Sequence, residues 1–117
     1  MRDIRDRAFD FAVRAVVLFR KLSQNHDGAI TIIGRQFLRS ATSIGANIEE
    51  AQSAESKADF IHKYSISQKE ANESLYWLRL IDKSEIIFSK ILLPMINETR
   101  EIIAIITSIL IKSKKNR

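Results

Sequence analysis

Three places in this 117-residue chain hold side chains whose types and spacing could do chemistry. The stretch RSATSIGANIEEA, Arg39 to Ala51, is small and polar with Gly45 near its middle. It could be a phosphate-cradling loop, a turn, or one face of a packed helix. Asp59 and His62, three residues apart, approximate half of the paired E-x-x-H ligands with which helical bundles hold two metal ions. Glu70 and Glu73 could act as an acid/base pair beside Arg39. Each chemical reading meets an obstacle. A phosphate loop needs a preceding strand, several glycines and a following lysine. A di-metal centre needs a second E-x-x-H copy and further inward carboxylates, and His26 lies in a turn. Neither histidine has a nucleophile and an orienting partner, and there is no cysteine. For Arg39, Glu70 and Glu73 an interhelical ion pair is the simpler reading. The sequence therefore predicts no enzyme, no metal, no cofactor and no small-molecule substrate.

The elements that must position these residues are helical almost from end to end. Ile4, Ala8, Phe11, Ala15, Leu18 and Leu22 recur at alternating spacings of four and three, and SQNHDG stops the pattern with turn chemistry. AITII, a β-branched run, reads as extended up to Gly34, a candidate N-cap for Phe37, Ala41, Ile44, Ile48 and Ala51. Ser56 and Asp59 form a capping box for a third helix with the stripe Phe60, Tyr64, Ser67, Ala71, Leu75, Leu78 and Asp82. A fourth helix from Ser89 places Pro94 early, where a lost amide bond matters less. Its stripe is Leu92, Ile96, Thr99, Ile103, Ile106 and Leu110. Helices over about 3–24, 34–53, 56–83 and 89–113 with short connections predict one all-α domain, an antiparallel up-down-up-down four-helix bundle.

Gly45 then falls inside a helix, at a cost of about 1 kcal/mol relative to alanine. Ser40, Ser43, Asn47 and Ala54 form a face of small side chains that would let a neighbouring backbone approach. Packing is thus the better reading of the stretch, with Arg39, Ser43, Gly45, Asn47, Glu70 and Glu73 as structural residues. Apolar residues exceed what one stripe per helix requires. The surplus is Phe9, Ala12, Val16 and Phe19 in the first helix, Ile66, Trp77 and Leu80 in the third, and Met95, Ile102, Ile105 and Ile109 in the fourth. Exposed, these would form interfaces, with Trp77 as the expected anchor.

The first residues lack the apolar run of a signal peptide, and residues 102–111 are too short an apolar segment to span a bilayer. A cytoplasmic location and no membrane partner are expected. The net charge is +5, from 19 Lys and Arg against 14 Asp and Glu. Lys112, Lys114, Lys115 and Arg117 lie in the last six residues; without these four, 15 bases face 14 acids. In an up-down-up-down bundle Arg2, Arg5, Arg7 and Lys57 share an end with that basic tail, 112–117. These eight residues are the nucleic-acid candidates, as phosphate contacts that would not read bases.

The residues LRSATSIGANIEEA, followed by SKADFIHKYSISQKEANESLYWLRLI, resemble the four-helix bundle proteins first noticed as reading frames in intervening sequences of bacterial 23S ribosomal RNA. The likeness is strong over residues 38–81 and continues through IRDRAFDFAVRAV and IITSIL. Many such proteins end the second helix with a glycine near position 51. EEAQSAES has none, so the helix either runs on or ends at 53–56. The resemblance implies a left-handed bundle that assembles as a homopentamer, with no known catalytic residues. A distant likeness to accessory proteins of diversity-generating retroelements, thought to bind nucleic acid and a reverse transcriptase, transfers no site. The expected function is a non-catalytic oligomeric module that binds RNA or a nucleic-acid-binding protein through its basic end. The alternative is a protein–protein scaffold with no nucleic-acid role.

Overall fold

The computed structural model describes residues 3–116, so the candidates Arg2 and Arg117 lie outside the described residues. Four helices, α1 (Ile4–Leu22), α2 (Gly28–Ala51), α3 (Lys57–Lys83) and α4 (Ser89–Lys115), pack into a body of 48 × 22 × 19 Å. There is no strand among the described residues. Early residues of each helix meet late residues of its partner. Arg5 reaches Glu49, Lys63 reaches Glu50, and Gln68 donates to Thr107. α1 also touches α4, closing a four-helix bundle.

Local chemistry explains most boundaries. The Arg5 N–H donates to Asp3 Oδ1 at 2.9 Å, capping α1. The Asp59 N–H donates to Ser56 Oγ at 3.0 Å, and Asp59 Oδ2 accepts from the Glu55 N–H, so the capping box is present. α2 ends at Ala51 with Gln52 as its C-cap, without a glycine, so it neither runs on nor reaches the end expected at 53–56.

The start of α2 also corrects the sequence reading: AITII is helical, and α2 starts six residues before Gly34. Asp27 caps this early start by accepting from the Ala29 N–H at 2.8 Å. Ile30 is buried, Ile33 packs at the edge of the core, and Gly34 lies buried against Phe19 and Leu22. Burial against α1 outweighs a β-branched preference worth only tenths of a kcal/mol per residue.

The core contains the stripes of α1 and α2 as read, while α3 and α4 are rotated from theirs. Ile61, Ser74 and Ile81 are buried in α3, while Phe60, Leu75 and Asp82 sit at the edge. In α4, Met95 and Ile102 are fully enclosed (3% and 0% exposed), which corrects their assignment to an outer stripe; Ile103 is the edge residue instead. A helix that faces two neighbours, α3 and α1, needs a buried arc wider than one stripe.

The small residues of α2 serve two partners rather than one face. Ser40 faces α3, where its Oγ lies 2.9 Å from Ser74 Oγ, and Ser67 Oγ donates to the Ile44 carbonyl. Gly45 faces α1: a Cβ built there would lie 3.5 Å from the Ala8 carbonyl group. The stretch is therefore a double packing surface. Gly45→Ala is expected to fit that gap and stabilise the helix by up to about 1 kcal/mol. Gly45→Leu is expected to cost about 1–3 kcal/mol through overpacking against Ala8. Thermal melts of the two variants should shift in opposite directions.

Candidate interaction surfaces

The basic candidates divide into two groups. Arg5 Nε and Nη2 donate to both oxygens of Glu49 at 3.2 Å. Arg7 Nε and Nη2 donate to both oxygens of Glu98 at 3.0 and 2.6 Å, with Glu101 3.3 Å away. These carboxylates raise both guanidinium pKa values above the ordinary arginine value, chiefly through the hydrogen bonds. Bidentate pairs of this kind hold geometry as well as charge. Arg5 and Arg7 thus tie α1 to α2 and α4.

Lys57, Lys112, Lys114 and Lys115 are exposed and form no ion pair among the described residues. The last three are not a loose tail, because α4 stays helical through Lys115. Cations in the last turn oppose the negative end of the helix dipole, so these lysines also stabilise α4.

The Arg39 group is interhelical, as read. Arg39 Nη1 donates to Glu70 Oε2 at 3.0 Å and Nη2 donates to Glu73. Trp77 Nε1 also donates to Glu73, at 2.8 Å. The Trp77 hydrogen bond and then Arg39 lower the Glu73 pKa below the ordinary carboxylate value. A general base working near neutrality needs the opposite shift. Ser43 Oγ donates to the Arg39 carbonyl, and Asn47 Nδ2 donates to the Ser43 carbonyl, so both serve α2 itself.

Asp59 is spent on the α3 cap and His62 is exposed. No group of three His, Cys, Asp or Glu able to hold a metal ion occurs among the described residues.

The outer apolar residues fall unevenly. Phe9 is 66% exposed, and Val13, Val16 and Val17 continue the same outward face of α1. Phe19, Ile66, Trp77, Leu80, Ile105 and Ile109 are half-buried, and Trp77, Ile105 and Ile109 pack against the core. Trp77, with its N–H satisfied and its ring edge-to-face with Tyr76 at 5.0 Å, offers less free surface than expected of an anchor. Sequence reading missed Val13 and Val17, although their i, i+4 spacing beside Phe9 and Val16 carries the signal.

Fold and surface together define a four-helix bundle protein with an apolar outer helix face and a lysine-bearing end. The family model described as 23S rRNA-intervening sequence protein matches residues 2–108, so the chain belongs to that family. Among solved structures, a protein of unknown function from the S23 ribosomal protein family of Bacteroides thetaiotaomicron VPI-5482 is similar, with a TM-score of 0.87 and 42% identity. The alignment covers 92% of this chain and 98% of that one. No curated protein matches. No helix among the described residues is long and apolar enough to cross a membrane.

Proposed function

We propose that this chain is a non-catalytic cytoplasmic module that assembles with further copies of itself, as a ring of five. Its lysine-bearing end then contacts RNA phosphates. The observation that carries the reading is the outer face of α1, where Phe9, Val13, Val16 and Val17 are each more than 40% exposed on one continuous side. Contiguous apolar surface of this kind marks interaction sites in soluble proteins. Phe9 is the expected anchor, ahead of Trp77, because its ring is free.

The nucleic-acid part of the reading rests on Lys57, Lys112, Lys114 and Lys115, since Arg5 and Arg7 are engaged with carboxylates. Four lysines make a weak site; several copies side by side would raise its avidity. Light scattering of the parent at micromolar concentration should give an oligomer, and Phe9→Ser with Val16→Ser should shift it to monomer without loss of helix content. A monomeric parent overturns the assembly. Retention of single-stranded RNA should weaken with salt, by a log–log slope of about 0.7 per phosphate neutralised. Lys114→Ala with Lys115→Ala should flatten that slope. An oligomer with no RNA retention at low salt leaves the protein–protein scaffold as the function.

A further inference from the structure

At the end of the bundle away from Lys112–Lys115, the turn between α3 and α4 carries three consecutive apolar residues, Ile86, Ile87 and Phe88. Phe88 is 80% exposed, the most exposed large apolar residue in the chain's described surface. Ile86 and Ile87 are half-buried and line shallow hollows shared with Lys21 on one side and with the Gln24–His26 turn on the other. Glu85, at φ 56°, reverses the chain after α3, so the three apolar residues emerge together before Ser89. The core does not need Phe88, and the sequence places a large ring there between Ile87 and Ser89, in a stretch bounded by Lys83 and Lys90, KSEIIFSK.

Positive charge is in slight excess around this tip, four bases (Arg20, Lys21, Lys83, Lys90) against three acids (Asp27, Asp82, Glu85) in residues 20–28 and 82–90. Lys21, Lys83 and Lys90 flank it, and none forms an ion pair among the described residues. Of the acids, Asp82 accepts from Ser89 Oγ and Asp27 from the Ala29 N–H, Glu85 is exposed, and none of the three pairs with these lysines among the described residues.

From this juxtaposition we infer that the α3–α4 turn is a docking tip for an anionic lipid surface. Phe88 and the flanking isoleucines enter the headgroup region, and Lys21, Lys83 and Lys90 engage the negative headgroups. The chemistry is that of peripheral binding: buried apolar area and attraction to anionic lipid add, and neither suffices alone. Lysines suit the rim because their aliphatic stems lie along apolar surface while the ammonium groups stay in water. The absence of a membrane-crossing helix among the described residues bears only on spanning, so it does not oppose this mode. A nucleic-acid strand is favoured less: Phe88 is a lone ring among aliphatic neighbours, whereas strand-binding grooves stack successive bases on several aromatics.

The test uses the full chain with vesicles of phosphatidylcholine, with and without phosphatidylglycerol, scored by co-sedimentation. The expected result is retention on the phosphatidylglycerol vesicles at low salt and little on phosphatidylcholine alone. Phe88→Ser should reduce retention by about tenfold. This variant guards against misfolding, because position 88 is the α4 N-cap, where Phe88 makes no side-chain cap bond and serine is a preferred residue. Its Tm should hold or rise while binding is lost. Lys21→Glu with Lys90→Glu should remove the dependence on phosphatidylglycerol. The proposal is overturned if the parent is not retained on anionic vesicles, or if Phe88→Ser is retained like the parent. Loss of single-stranded RNA retention in Phe88→Ser without any vesicle binding would assign the tip to nucleic acid instead. A change only in oligomer size would assign it to a second copy.

Discussion

Phe37→Ala is expected to destabilise the fold by about 3–5 kcal/mol, the range for emptying a fully enclosed aromatic site. Phe37 is fully buried on α2, the helix that packs against both α1 and α3. Its ring meets Phe11 of α1 edge-to-face, with centroids 6.4 Å apart and planes at 78°. The cavity would open where α1 cannot move inward without disturbing its close contacts at Gly34 and Gly45. A domain of this size has a total stability of about 5–15 kcal/mol, so the variant stands near the folding threshold. Phe37→Leu keeps most of the volume and should cost less than about 2 kcal/mol. Phe11→Ala with Phe37→Ala should show a coupling of about 0.5–1.5 kcal/mol beyond the separate losses. Urea unfolding followed by circular dichroism measures the parent and the four variants, Phe11→Ala alone included. A loss below about 1 kcal/mol in Phe37→Ala would contradict the tight core between α1 and α2.

What could be read from the sequence was what depends on neighbours three and four residues away. The stripe from Ile4 to Leu22 is buried as its spacing predicts, and Ser56 with Asp59 caps α3 as their types predict. What could not be read depends on which helix lies opposite. AITII has a local preference for extended backbone, and the burial of Ile30 with the packing of Gly34 against α1 goes with its helical form. Met95 and Ile102 read as a second stripe because nothing in α4 alone says that it faces two helices. Gly45 and Ser40 read as one face, yet they pack against different partners.

The charged residues show the same division. Arg39 could be matched to Glu70 and Glu73 because the turn between α2 and α3 fixes their approximate register. Arg5 and Arg7 could not, since Glu49 and Glu98 lie 44 and 91 positions further along the chain. A net charge counts such arginines as available for an anion, although the fold has already supplied their carboxylates. The basic end is thus smaller than the sequence suggests, four lysines in place of six cations within the described residues.

Arg7→Met is expected to cost about 2 kcal/mol while leaving RNA retention unchanged. The Arg7 and Glu98 side chains are only 16% and 19% exposed, so the pair is largely desolvated, whereas Glu101 remains in water at 64%. Removing the guanidinium leaves the Glu98 carboxylate short of both its donors in a place where water reaches it poorly. The cost is mainly that orphaned charge rather than the worth of the pair. Arg7→Met with Glu98→Met should therefore recover most of the loss and come within about 1 kcal/mol of the parent. Urea unfolding gives the stabilities. Salt-dependent RNA retention of the same chains gives the functional arm, with Lys114→Ala and Lys115→Ala as the comparison. A flattened salt slope in Arg7→Met, at a temperature where the variant is fully folded, would return Arg7 to the phosphate-contacting set. An unchanged slope beside reduced stability fixes Arg7 as the tie that holds α1 against α4, and with it the outward face of Phe9 and Val16.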